Sequence, residues 1–145
     1  MSKNVSLTKE QNQVLEAKGK DILVAASAGS GKTFVVVERI LNRIVNDYID
    51  IDKILVVTFT NAAASELRER ILNKFYDVLN DKNIEEEKKK HVERQIKLIN
   101  RAQISTIHSF CLNIIKNNFY LLNIDPNVKT LDENKAKIML LESID

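Results

Sequence analysis

The residues of this chain whose types and spacing could do chemistry are Ala26-Ser27-Ala28-Gly29-Ser30-Gly31-Lys32-Thr33. The chain has 3 glycines, and Gly29 and Gly31 fall together here. A glycine-rich turn followed by Lys-Thr is what a phosphate-binding loop (P-loop) needs. Its backbone N–H groups turn inward as an anion nest at a helix N-terminus. In that arrangement Lys32 reaches the β- and γ-phosphates of a bound triphosphate, and the Thr33 hydroxyl takes a Mg²⁺ coordination position. Glycine is required wherever a side chain would hold backbone and phosphate apart. The full pattern, G-x-x-x-x-G-K-[ST], asks for glycine at position 26, where this chain has Ala26. Alanine is tolerable there if its φ is negative. The bland alternative is a turn with no ligand, and the register of Lys32, Thr33 and the flanking elements argues against it.

The elements that must position this loop are legible on both sides. Ile22-Leu23-Val24-Ala25 is a short apolar run and predicts a strand leading into it. Residues 32–46 predict a helix leading out, with Val37, Ile40, Leu41, Ile44 and Val45 on one face. Upstream, residues 8–17 read as a helix opened by Thr8-x-x-Gln11, a capping box. Downstream, Ile54-Leu55-Val56-Val57-Thr58-Phe59 predicts a second, β-branched strand. Residues 61–79 then predict a helix burying Ala63, Leu67, Ile71, Phe75 and Val78. Strands separated by helices of this length imply parallel pairing through right-handed crossovers, so the chain is α/β.

Composition bounds the reading without directing it. The 145 residues make one domain or part of one, with 44% hydrophobic and 29% charged residues, as in ordinary globular proteins. A net charge of +2 gives no general case for nucleic acid, so any such affinity must be local. Cys111, the single cysteine, has no internal partner, which fits a reducing cytoplasm; its apolar neighbours predict a buried, inert thiol. No apolar stretch reaches membrane-spanning length, and Met1-Ser2-Lys3-Asn4 opens onto polar sequence rather than a signal-peptide core. Residues 81–94 are densely charged around Glu85-Glu86-Glu87-Lys88-Lys89-Lys90. Acidic residues precede basic ones there, so a solvated helix is a better reading than a DNA-binding patch. His91 in that run is assigned no chemistry.

Two further segments carry candidate contacts. Thr58, Phe59, Thr60 and Asn61 close the second strand, at the edge where open parallel sheets bind ligands. Phe59 there is suited to stacking on a base, and its neighbours to hydrogen-bonding phosphate or sugar. Equally, Phe59 could end a core strand while Asn61 caps the next helix. Ser105-Thr106-Ile107-His108-Ser109-Phe110 reads as a helix start, where Thr106 and His108 either contact a phosphate or serve as a cap and a structural histidine.

Taken together, these segments resemble the N-terminal motifs of the UvrD/Rep group of superfamily 1A DNA helicases. Leu7-Thr8-Lys9-Glu10-Gln11 looks like the Q motif, in which the glutamine reads the adenine edge. Residues 28–33 look like motif I, residues 57–67 like motif Ia, and residues 104–111 like the DNA-contacting motif that follows. Within the group, residues 21–28 and Asn123-Ile124-Asp125-Pro126 are most similar to the AddA family of helicase–nuclease subunits. The resemblance implies an ATP-binding, RecA-like parallel sheet flanked by helices, moving 3′ to 5′ on single-stranded DNA and unwinding duplex ends in break repair and recombination. It also implies a partner of the AddB type and no membrane association. Gln11 then has two roles, capping-box residue and adenine reader, which one side chain does not easily combine; the resemblance favours adenine. Phe59 becomes a base-stacking platform, and Ala26, Ser27, Ala28, Gly29, Ser30, Gly31, Lys32 and Thr33 line the phosphates.

The sequence also lacks parts. Phosphoryl transfer needs an acid for Mg²⁺ at the end of an apolar strand, and the only Asp-Glu pair, Asp132-Glu133, follows an interrupted run. Asp132 fits better as the cap of a helix over 133–144. The expectation is an incomplete P-loop fold: residues 1–79 of a first RecA-like domain, 80–118 its charged helix and DNA-contacting segment, and 119–145 the start of an inserted helical subdomain. Alternatives are a helicase without nuclease, a non-catalytic nucleotide- or DNA-binding module, or a small-molecule kinase. The last is disfavoured because no acceptor site or lid is recognisable.

Overall fold

The computed structural model describes residues 7–19, 21–27, 29–125, 127 and 131–143. Ala28 of the predicted phosphate loop, Pro126 and Ile144 lie outside them. The chain forms two compact units, residues 1–107 and 108–145.

In the first unit, α1 (Lys9–Glu16) starts at the predicted capping box, and α2 (Lys32–Val45) starts at Gly31. After a 3₁₀ turn come β1 (Leu55–Thr58) and α3 (Asn61–Leu79), the latter capped by the Thr60 hydroxyl, which accepts from the Ala63 N–H. α4 (Glu86–Leu98) opens with Glu86 and Glu87 at its positive end. β2 (Gln103–Thr106) then pairs parallel to β1. Two parallel strands need a long crossover, and α3 and α4 supply it. The core lies between α2, α3 and α4, where Ile44, Ile51, Ile71, Phe75 and Val92 have no exposed surface. Gln95 is equally buried and keeps its amide satisfied: Oε1 accepts from the Ile51 N–H at 2.8 Å, and Nε2 donates to Asp50 at 2.7 Å.

Several expectations change. Residues 22–25 form no strand; among the described residues nothing pairs with them, and Leu23 is 98% exposed. A strand is a relation between two segments, and an apolar run alone does not make one. Residues 105 and 106 are strand rather than helix, because the turn into helix comes at Ile107. On α3 it is Ala64, not Ala63, that faces the core. The charged segment is helical, but it is not a fully solvated helix, since Val92 and Gln95 anchor it.

The second unit holds most of α5 (Ile107–Asn117), then α6 (Phe119–Leu122) and α7 (Glu133–Glu142). As expected, Asp132 caps α7, its Oδ1 accepting from the Lys135 N–H at 2.9 Å. Cys111 is exposed rather than buried: it shares with Ile107 and Ile114 a face of α5 that the described residues leave uncovered.

Candidate functional site

The loop before α2 is shaped by its two glycines. Gly29 and Gly31 have φ of +77° and +82°, conformations that strain any residue with a Cβ. Ala26 escapes that strain: among the described residues only Tyr48 and Asn123 combine a side chain with positive φ. Gly31 ends the loop in the left-handed region and caps α2 without a side chain, so among the described residues no side-chain cap takes up the N–H groups of the first helical turn. Those donors and the positive end of the helix dipole face the loop mouth. The Lys32 ammonium folds back over the loop, donating to the carbonyls of Ala26 at 2.9 Å and Ser27 at 2.7 Å. It is exposed, so both hydrogen bonds are made in contact with solvent. Thr33 is exposed beside it in the first turn.

α1 borders the same space. The capping box forms, with Gln11 Oε1 accepting from the Thr8 N–H at 2.9 Å and Thr8 Oγ1 accepting from the Gln11 N–H at 3.3 Å. The other end of the Gln11 amide is also engaged: Nε2 donates to the Ser30 carbonyl at 3.3 Å, so the side chain joins α1 to the loop. Between them lies a cavity of about 590 Å³. Val14, Val24 and Val36 give it an apolar wall, while Ser27, Ser30 and Lys32 give it a polar end. The Glu10 carboxyl on the same rim is held below its ordinary value, by the hydrogen bond from its own backbone amide and then by the Thr8 hydroxyl.

A second cluster forms where the strands end. The register places Thr58 opposite Thr106, so the carboxyl ends of β1 and β2 bring two sequence-distant segments side by side. Phe59 is 104% exposed there, so among the described residues nothing covers its ring. Thr58 donates to the Thr60 carbonyl at 2.9 Å, and Thr60 rather than Asn61 caps α3. Asn61 is exposed in the first turn of α3, and Thr106 is nearly buried. The candidates thus gather in two groups, Gln11 with the loop and Thr58, Phe59, Thr60 and Asn61 with Thr106. His108 belongs to the second unit, exposed in the first turn of α5. Among the described residues no group of three histidine, cysteine or acidic side chains is placed to hold a metal, and no helix is long and apolar enough to cross a membrane.

Residues 7–145 match the family model of the UvrD/REP helicase N-terminal domain. The chain belongs to that family. It is 51% identical over 140 residues to AddA, the ATP-dependent helicase/nuclease subunit, of Clostridioides difficile (strain 630), an alignment covering 95% of this chain and 11% of the relative. The protein of the same name from Thermoanaerobacter sp. (strain X514) is 50% identical over 138 residues, covering 94% and 11%. That from Alkaliphilus oremlandii (strain OhILAs) is 47% identical over 138 residues, covering 95% and 11%. The chain therefore spans about a ninth of the length of these UvrD/REP-type relatives.

One set of residues bearing on the site escaped the sequence reading. Arg39 and Arg43 project from α2 onto the carbonyls at the end of α1, and Asp47 joins Arg43 to Lys18. The i,i+4 spacing of Arg43 and Asp47 was a visible signal; the reach from Arg39 to a helix more than twenty residues upstream was not.

Proposed function

We propose that this chain is the nucleotide-binding N-terminal part of an ATP-dependent DNA helicase/nuclease subunit of the AddA type. The observation that carries the reading is the loop itself. Two left-handed glycines, an uncapped α2 N-terminus and the Lys32 ammonium converge on one end of a cavity whose size suits a nucleotide, within the ~300–1,000 Å³ typical of ligand sites. The residues present fit the group. The first-turn N–H groups and Lys32 suit a polyphosphate, the valine wall suits a base, and the Gln11 amide suits the adenine edge. Thr33 offers one hydroxyl to Mg²⁺, an ion that takes most of its remaining positions from phosphate and water. When bound, Mg²⁺ supplies charge neutralisation at the phosphates.

In this reading Lys32 leaves the Ala26 and Ser27 carbonyls and turns onto the terminal phosphate, where its charge counts most as negative charge develops. Gln11 gives up its bond to Ser30 to meet the base. The exposed ring of Phe59, between Thr58 and Thr60, stacks on single-stranded DNA, with Asn61 and Thr106 near the backbone. Work on duplex ends in break repair, an AddB-type partner and a cytoplasmic setting are parts of the same proposal.

The test is Lys32→Ala in the full-length protein, with ATP turnover and DNA unwinding as readouts. Turnover should fall by on the order of 10²-fold or more, because a preorganised cation is removed from the transferring phosphoryl group. The melting temperature should hold, since the hydrogen bonds of the ammonium are exposed to solvent. Turnover within a few-fold of wild type would sink the assignment.

A further inference from the structure

α1 carries Gln11, yet little apolar burial holds it in place: it has 8 residues, none of them buried. Helices that short are marginal in water unless something outside them fixes their ends. Its last turn contains no basic residue to meet the orphan carbonyls at its negative end. α2 supplies what α1 lacks. The Arg39 guanidinium donates to the carbonyls of Val14, Leu15 and Ala17, at 3.4 Å for Leu15 and 2.9 Å for Ala17. Arg43 donates to the Ala17 carbonyl at 2.7 Å, and through its other nitrogen to Asp47, also at 2.7 Å. Asp47 in turn takes the Lys18 ammonium at 2.5 Å, just beyond the end of the helix.

We propose that Arg39 and Arg43 are positioning residues that fix nucleotide specificity. They clamp α1 to the helix that carries the phosphate loop, and so set where the Gln11 amide stands over the cavity. The inference rests on the nucleotide-site reading above and deepens it. Neither arginine touches the cavity's polar end; each acts through the backbone of α1. A guanidinium is suited to this because one rigid fork serves several carbonyls, which a lysine ammonium on its flexible stem does not match.

The test compares the wild-type chain with Arg39→Lys, Arg39→Ala, Arg43→Ala and Gln11→Ala. Amide exchange is followed without nucleotide, and affinities are measured for ATP, GTP and inorganic triphosphate. Arg39→Lys keeps the charge and is expected to fold even where the alanine variants do not. In the arginine variants exchange of the α1 amides should quicken by roughly tenfold or more, while α2 and α3 keep their protection. The preference for ATP over GTP should fall toward that of Gln11→Ala, and triphosphate affinity should stay within about twofold, because the phosphate end of the site is untouched. Unchanged α1 exchange, or unchanged ATP preference with α1 loosened, overturns the proposal. So does a loss of triphosphate affinity that matches the loss for ATP. A wild-type chain that binds neither ATP nor triphosphate overturns the nucleotide-site reading instead, and the exchange data still report separately whether the clamp holds α1.

Discussion

α1 and α3 both pack against α2, but different forces hold them. α3 sinks Leu67, Ile71 and Phe75 into the core, the last two with no exposed surface, and its position follows from apolar area removed from water. α1 buries no residue and is placed by hydrogen bonds: a capping box at one end, arginines at the other and Gln11 reaching the loop between them. Apolar burial is nondirectional and stabilises whatever packs well. Hydrogen bonds are directional, contribute less, and fix angle and distance. The molecule therefore separates what keeps it folded from what keeps its candidate site in shape, and substitutions in the two regions should fail differently.

The largest effect belongs to the core. Phe75→Ala removes a fully buried ring from between α2, α3 and α4, and should cost about 3–5 kcal/mol in unfolding free energy, read by denaturant titration. A loss below about 1 kcal/mol would mean that α3 is not held as described.

Next comes the strand-end cluster, where the comparison predicts function lost without stability. Phe59 is fully exposed, so Phe59→Ala should leave the melting temperature in place. In the full-length protein it should weaken single-stranded DNA binding by about 1–3 kcal/mol, whichever base is offered, because every base presents a π-face. Salt dependence should barely change, since no phosphate contact is removed. A destabilised variant with no selective DNA defect would take Phe59 out of the site.

Gly31→Ala tests the loop. At φ of +82° a Cβ strains the backbone by roughly 1–2 kcal/mol. Packing adds nothing to this, because the new atom would meet Gln11 Nε2 at an ordinary 3.5 Å. Stability should fall by that amount and nucleotide affinity with it, and Gly31→Asn should be milder, since asparagine tolerates the left-handed region better. An alanine variant as stable as wild type would show that the loop relaxes to another conformation.

These contrasts explain which parts the sequence made legible. The limits of α3 follow from a long, regular stripe of apolar residues, and its span of 61–79 is as expected. The capping box and the role of Asp132 follow from short local patterns that need no tertiary context. The strand at 22–25 failed because pairing depends on a second segment that local sequence does not contain. β2 was missed because Gln103, Ser105 and Thr106 give it a single strong apolar residue, Ile104, whose burial comes from α3 and the register with β1. Phe59 read as readily as core, since a phenylalanine after Val56 and Val57 has no local signal for exposure. The clamp on α1 was hidden for a related reason: Arg39 and Arg43 donate to backbone carbonyls, and every residue carries one. In each case directional, long-range contacts were the part that spacing did not reveal.

The smallest effect, and the sharpest test of the contrast, is on α1 in acid. Asp47 accepts from Lys18 at 2.5 Å and from Arg43 at 2.7 Å, and these two hydrogen bonds, Lys18 first, hold its carboxyl below the ordinary value. The unfolded chain therefore takes up the proton at a higher pH than the folded one. The contribution of Asp47 is fully present above the ordinary aspartate value of about 3.9, and is lost as pH falls through the lower folded value. Glu10 on the same helix titrates with the same sign, through its backbone amide and Thr8, so Glu10→Gln is needed as a parallel variant. Amide exchange of α1 should be flat relative to the core above about pH 5 and should quicken selectively below about pH 4. Asp47→Asn should loosen α1 modestly at neutral pH and remove most of the remaining acid response, with Glu10→Gln removing the rest. The change is small because Lys18 and Asp47 are partly exposed and solvent screens the pair. If Asp47→Asn keeps the wild-type acid profile, α1 is held by something other than the polar contacts at its end, and the division between an apolar core and a hydrogen-bonded site fails at the helix on which it depends most.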